Sequence, residues 1–287
     1  MLAIFRKEMK IYLGGMFGYI ITALLLLFTG FFVALFHLLS DSADFSLTLV
    51  AMQWVLIILI PFMSMRAVAE ERHSRTDQLL YSLPIRLRDV VLGKFFALTA
   101  LFLIPTAFTA LYPLILSTMG NISLPAAYTA LLGYILMTLA LIAFCMFISS
   151  LVENQILAAV LSIAAVLALY LMDTITSLLP VAAVVSFLIC IAAELGLAAL
   201  VWRWAKNLTL GMLAGVALIL PTCLLYIIKA DLFRSLVPNF LAYSNVFTRF
   251  NGFSYGYLDL SGVIFYLSFT VVFLFLTVQS MEKRRRA

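Results

Sequence analysis

Long apolar runs, separated by short polar breaks, dominate this chain, and each run is about the length needed to cross a bilayer as a helix. Eight such stretches are read at about 16–39, 47–66, 95–118, 126–150, 156–173, 181–202, 208–228 and 261–280. None shows the strict alternation of a barrel strand, so the pattern predicts an all-α, polytopic integral membrane protein with about eight transmembrane helices. Ahead of the first run, Leu2, Phe5, Met9 and Tyr12 recur at helical spacing and form one apolar stripe. Arg6, Lys7, Glu8 and Lys10 lie off that stripe, the pattern of an N-terminal interfacial elbow helix over 2–14.

Composition agrees with the pattern. The chain is 65% hydrophobic and 11% charged, whereas a soluble domain carries roughly 25% charged residues. Lipid is therefore the solvent for most of its surface. The first apolar run, Met16 to Leu39, exceeds a signal-peptide core and lacks a small-x-small cleavage site, so it is expected to remain as a span. Cys145, Cys190 and Cys223 all fall inside apolar runs and read as free thiols.

The net charge of +5 is organised by topology. With the N-terminus in the cytosol, 15 of the 18 Lys and Arg residues fall on inside segments, and only Lys229, Arg234 and Arg249 fall outside. The positive-inside rule then places both termini in the cytoplasm. The basic excess suits contact with anionic lipid and argues against nucleic acid. Outside loops are short except for an extracytoplasmic segment over 229–260. In it Leu232, Leu236 and Phe240 share a helical face, and Asn251-Gly252 marks a turn.

Ten of the 31 charged residues sit between Arg66 and Lys94. Within this cytosolic stretch Thr76 is an expected N-cap, and Leu79, Leu80 and Leu83 make an apolar edge on a short helix that Pro84 stops. A second amphipathic turn leads back through Val90 and Val91. Such a helix, held between two spans, is suited to docking in a groove of a partner.

The segment Ala69-Glu70-Glu71-Arg72, then Thr76-Asp77-Gln78-Leu79-Leu80, Leu83-Pro84 and Val91-Leu92-Gly93-Lys94 resembles the cytosolic loop of type-2 ABC exporter permeases of the gliding-motility branch. Arg75 stands where that branch has a glycine. Phe5-Arg6-Lys7-Glu8 with Gly18-Tyr19-Ile20 resembles the family's elbow helix and first span. The pattern Phe247 to Leu260, with Tyr266 to Thr277 and Glu282 to Arg285, resembles its last outside segment and last span. The resemblance implies one transmembrane permease domain over 1–287, with a cytosolic coupling loop at 67–92 carrying a coupling helix. Because the family core has six spans, 181–228 looks like an inserted helical hairpin.

The same resemblance implies a membrane-spanning subunit of an ATP-driven exporter in a plasma membrane, of bacterial type. Its partners would be a separate ABC ATPase, a second permease copy (identical or a close paralogue), lipid and an extracytoplasmic accessory protein. Glu70, Glu71, Arg72, Thr76, Asp77, Leu79, Leu80 and Pro84 would couple to the ATPase, and Phe5, Arg6, Lys7 and Glu8 would form the elbow. Gly93-Lys94 lacks the upstream glycine and following Ser/Thr of a phosphate-binding loop. The chain is thus expected to be no enzyme by itself and to bind no cofactor or metal, with ATP and Mg on the partner.

Glu194 is the one carboxylate squarely within a predicted span. A charge there costs about 2.5–3.5 kcal/mol on insertion scales, so such a residue faces protein or water. It is a neutral glutamate hydrogen-bonded to a neighbouring helix, a residue of a span whose true bounds differ by a few positions, or an intramembrane polar site. The last of these is a substrate or proton site and supports the rival reading, an ion-coupled secondary transporter. His73 reads as a surface residue, and His37 and Asp173 as hydrated residues at span ends. The two histidines, far apart in sequence, give no cluster for a third reading, an intramembrane enzyme.

Overall fold

A computed structural model describes residues 1–40, 42–73, 86–118, 123–178, 183–205, 208–229, 233–234 and 236–286. All regular structure among them is helical. The helices are α1 (Leu2–Gly14), α2 (Met16–Val33, continued by a wider π-helical turn Ala34–Leu39), α3 (Ser46–His73), α4 (Leu87–Thr109) and α5 (Tyr112–Ser117). They continue as α6 (Leu124–Leu151), α7 (Gln155–Tyr170), α8 (Met172–Leu178), α9 (Ala183–Ala205) and α10 (Leu208–Ile228). The last three are α11 (Leu236–Ser244), α12 (Phe250–Ser254) and α13 (Leu260–Arg286).

Five stretches of helix are long and apolar enough to cross a membrane among the described residues: Met16–Leu39, Ser46–Ala69, Leu87–Ser117, Leu124–Leu151 and Leu260–Arg285. The α7–α8 pair makes a sixth if counted as one broken span. In α9 and α10, 23 and 21 residues long, the apolar stretches among the fully described residues are Ala183–Gly196 and Gly215–Ile228. The protein is therefore a polytopic helical membrane protein. The third apolar run becomes helical at Leu87, eight residues before the predicted start at 95. Pro113 sits in the first turn of α5, where a missing N–H costs nothing, while Pro105 lies inside α4.

The chain forms two compact units, Met1–Leu169 with Arg249–Ala287, and Tyr170–Thr248. The stretch 229–260 is thus divided, its last residues belonging to the first unit. In that unit α6 is the central helix, packed against α3, α4, α5, α12 and α13. Met137, Ala140, Leu141, Ala143 and Met146 of α6 are fully buried, as an all-round apolar helix should be when protein surrounds it. By contrast α2 buries one stripe, Gly18, Ile21, Leu25, Thr29 and Val33, and turns its other face outward.

Glycine sets two close approaches in this unit. A Cβ on Gly133 of α6 would stand 2.5 Å from Phe253, and one on Gly262 of α13 would stand 2.7 Å from the same ring. Phe253 of α12 is thereby seated between two spans and fully buried. Gly256 follows with φ +81°, a left-handed conformation that lets the chain turn back towards α13.

In the second unit α9 packs on α10, and α11 touches both α8 and α9. Phe187, Tyr226 and Phe233 form an aromatic cluster, the first two stacked at 4.2 Å between centroids. At the neck of this unit the Tyr170 ring meets Phe247 edge-on at 5.1 Å, and Thr248 donates to Asp173 at 2.7 Å.

Candidate functional site

The charged stretch between α3 and α4 is rooted in a buried polar junction. Lys94 lies on α4, about two turns from its start, among Val90, Val91, Leu98 and other apolar neighbours, and is 1% exposed. An ammonium there must be paired. Its Nζ donates to the carbonyl of Ala67 on α3 at 2.6 Å and to Glu8 Oε1 on α1 at 3.3 Å. Glu8 is itself 5% exposed. Lys7, on the outer side of α1, approaches the same oxygen at 3.7 Å but is half-exposed and so adds little.

This pairing corrects the expected face of α1. Ile4, Glu8 and Tyr12 are the buried residues, Phe5 and Met9 are half-buried, and Leu2 is exposed. Glu8, expected off the apolar stripe with the basic residues, lies on the buried face. Its partner comes from α4, 86 positions away. Gly93 makes the approach possible, since a Cβ there would stand 3.0 Å from two side-chain carbons of Ile4 and 3.2 Å from the Met1 carbonyl. Arg6 and Lys7 remain exposed.

A second clip acts on the same turn of α3. Ser149 of α6 receives the Ala69 N–H at 3.2 Å and donates to the Met65 carbonyl at 3.3 Å. Those two backbone groups are the ones an unbroken α-helix pairs with each other. The hydroxyl therefore shares in the α3 ladder, an arrangement associated with helix bends. On the same turn Arg66 lies over the Phe17 ring of α2 at 4.4 Å, a cation–π contact. The end of α6 is tied in turn to α13. Ser280 donates to the Ser150 carbonyl at 3.1 Å, and Arg284 donates to Glu153 at 2.8 Å and to the Leu151 carbonyl at 3.1 Å. Side chains thus satisfy carbonyls that the helix end leaves open.

Of the residues expected to couple to an ATPase, Glu70, Glu71 and Arg72 continue α3 directly beyond this junction, and only their backbone is described, as for His73. Thr76, Asp77, Leu79, Leu80 and Pro84, with the short helix predicted there, lie outside the described residues. Sequence reasoning passed over Ser149, and it quoted Lys94 only within a motif. A lysine flanked by Val90 and Val91 on one side and by Phe95 and Phe96 on the other, at the edge of the third apolar run, was the available signal.

The other candidates stand apart. Glu194 of α9 meets Thr222 of α10, whose hydroxyl lies 3.1 Å from Glu194 Oε2 and 2.8 Å from the Ile219 carbonyl. His37, expected at a hydrated end, is buried. Its Nδ1 donates to the Ser42 carbonyl at 2.6 Å, Thr48 Oγ1 is 3.1 Å from Nε2, and the ring stacks near Phe45. The loop after the π-helical turn folds back over the ring and shields it. Among the described residues no group of three His, Cys, Asp or Glu side chains could hold a metal ion.

An apolar helical bundle with a charged segment between two of its spans is the architecture of a multi-pass membrane protein. Residues 2–284 match the family model described as ABC-2 family transporter protein. The chain belongs to that family, whose members are membrane-spanning permease subunits that are not themselves catalytic. Membership implies an ABC ATPase partner and points to the plasma membrane. No curated protein and no solved structure matches the chain.

Proposed function

We propose that this chain is the permease of an ATP-driven exporter of the gliding-motility branch, and that the Glu8–Lys94 junction is where force from the ATPase enters the bundle. The observation that carries the reading is the convergence of α1, α3, α4 and α6 on one buried polar knot at the root of the charged stretch. In this mechanism the 67–92 loop docks on the ATPase through Glu70, Glu71, Arg72, Thr76, Asp77, Leu79, Leu80 and Pro84. ATP, held with Mg on the partner, closes the ATPase pair. The loop's different contacts with the two ATPase states supply the coupling free energy. Because Lys94 and Ser149 bind α3 to α1, α4 and α6, displacement of the loop moves these helices together. Two permease copies, each with eight spans, an interfacial elbow and cytoplasmic termini, enclose the path, and 229–260 faces outward for an accessory protein.

The test is a pull-down of the tagged chain in mild detergent beside the Glu70→Ala/Glu71→Ala/Leu79→Ala/Leu80→Ala variant. A phosphate-binding-loop ATPase should co-purify with the first and be lost from the second. Equal recovery with both would move the contact elsewhere. Recovery with neither, from a folded chain, would discard the ATP-driven reading in favour of ion coupling through Glu194.

A further inference from the structure

We propose that the cleft between the start of α4 and the end of α13 binds the phosphodiester headgroup of an anionic phospholipid. The cleft measures about 570 Å³ and is lined by Arg86, Leu87, Arg88, Glu282 and Arg285. Leu87 is buried, while the three arginines are exposed. Three guanidinium groups against one carboxylate leave a local surplus of two positive charges. A guanidinium fork matches phosphate oxygens two at a time. Among the described residues no side chain caps the start of α4, so its first N–H groups add to the positive field, which Asp89 in the first turn offsets in part.

The surroundings select a lipid as the source of the phosphate. The cleft stands at the ends of two membrane-crossing helices that pack on each other. From Arg88 the same face of α4 continues through Leu92, Phe96 and Leu103, the last two exposed. From Glu282 the same face of α13 continues through Val278, Phe275 and Val271, again with the last two exposed. A headgroup held by the arginines would have acyl chains running along these apolar stripes. Basic pockets between transmembrane helices are a recurrent form of headgroup site.

The full chain, purified and delipidated in detergent, is titrated with equal amounts of phosphatidylglycerol and phosphatidylcholine, and bound lipid is counted by native mass spectrometry. Phosphatidylglycerol should be retained in preference. The Arg86→Gln/Arg88→Gln/Arg285→Gln variant should lose at least roughly ten-fold of that preference, given about five-fold per basic residue near a charged surface. Glu282→Gln should strengthen it by about two- to five-fold, a gain that misfolding does not produce. Lys10→Gln/Lys229→Gln/Lys283→Gln, which removes as many charges elsewhere, should leave most of it. Equal retention of both lipids by the wild type would overturn the proposal. So would equal losses in the two triple variants, or protection from heating by inorganic phosphate as strong as that by phosphatidylglycerol.

Discussion

At the scale of single residues, Lys94 and Glu8 are worth most where they are least visible. Both are nearly inaccessible, and each offsets part of the cost of burying the other. Lys94→Met would leave Glu8 buried beside the weak, half-exposed Lys7. Breaking a buried pair in this way costs about 3–5 kcal/mol, and Lys7 should hold the loss to the lower end. Glu8→Leu combined with Lys94→Met should cost less than the sum of the single changes, because neither member of the pair is then left without the other. Thermal melting of the four proteins in one detergent measures this directly; strict additivity would show that the two side chains do not act as a pair. Gly93→Ala is a separate test of the same contact. Its Cβ would press on Ile4, at a cost of about 1–3 kcal/mol, and Ile4→Ala in the same chain should recover part of it.

At the scale of elements, α12 shows what hydropathy can and cannot reveal. Phe253 is wedged between Gly133 and Gly262, so Gly133→Ala should lower the melting point, with about 1–3 kcal/mol lost to overpacking. Gly133→Ala joined to Phe253→Ala should be milder than the two losses added. If Gly133→Ala melts like the wild type, α12 is not seated where the structure puts it. The apolar runs announced α2, α3, α4, α6 and α13, because burying that much surface in lipid needs a long helix whatever its neighbours. They did not separate Phe253, fully buried, from Phe240, largely exposed, because lipid and protein interior reward a phenyl ring alike. Partner choice was hidden for the same kind of reason. Glu8 sits between basic residues in sequence, and only the approach of α4 across Gly93 gives it a deeper partner. The charged stretch itself stood out plainly, since ten charges in a greasy chain need a reason.

At the scale of the whole molecule, the Tyr170–Thr248 unit raises the question of what can be removed. Its chain enters at Tyr170 and leaves at Thr248, and the two strands of the neck touch through Tyr170 with Phe247 and Asp173 with Thr248. The junction at Glu8, Lys94, Ala67 and Ser149 belongs wholly to the other unit, as do the ties from α6 to α13. On the proposed reading, in which α9 and α10 are an inserted pair of spans, deleting the two together keeps the orientation of the last span. Replacing 170–248 by a short Gly/Ser linker should therefore leave a membrane-inserted protein that still recovers the ATPase in the pull-down. Both termini should stay on the same side, as read by protease protection of N- and C-terminal tags. A shortened chain that inserts but no longer binds the ATPase would place part of the docking surface in 170–248. Aggregation of the shortened chain, with the full chain stable beside it, would show that the first unit does not fold without 170–248 and that this segment is no mere addition.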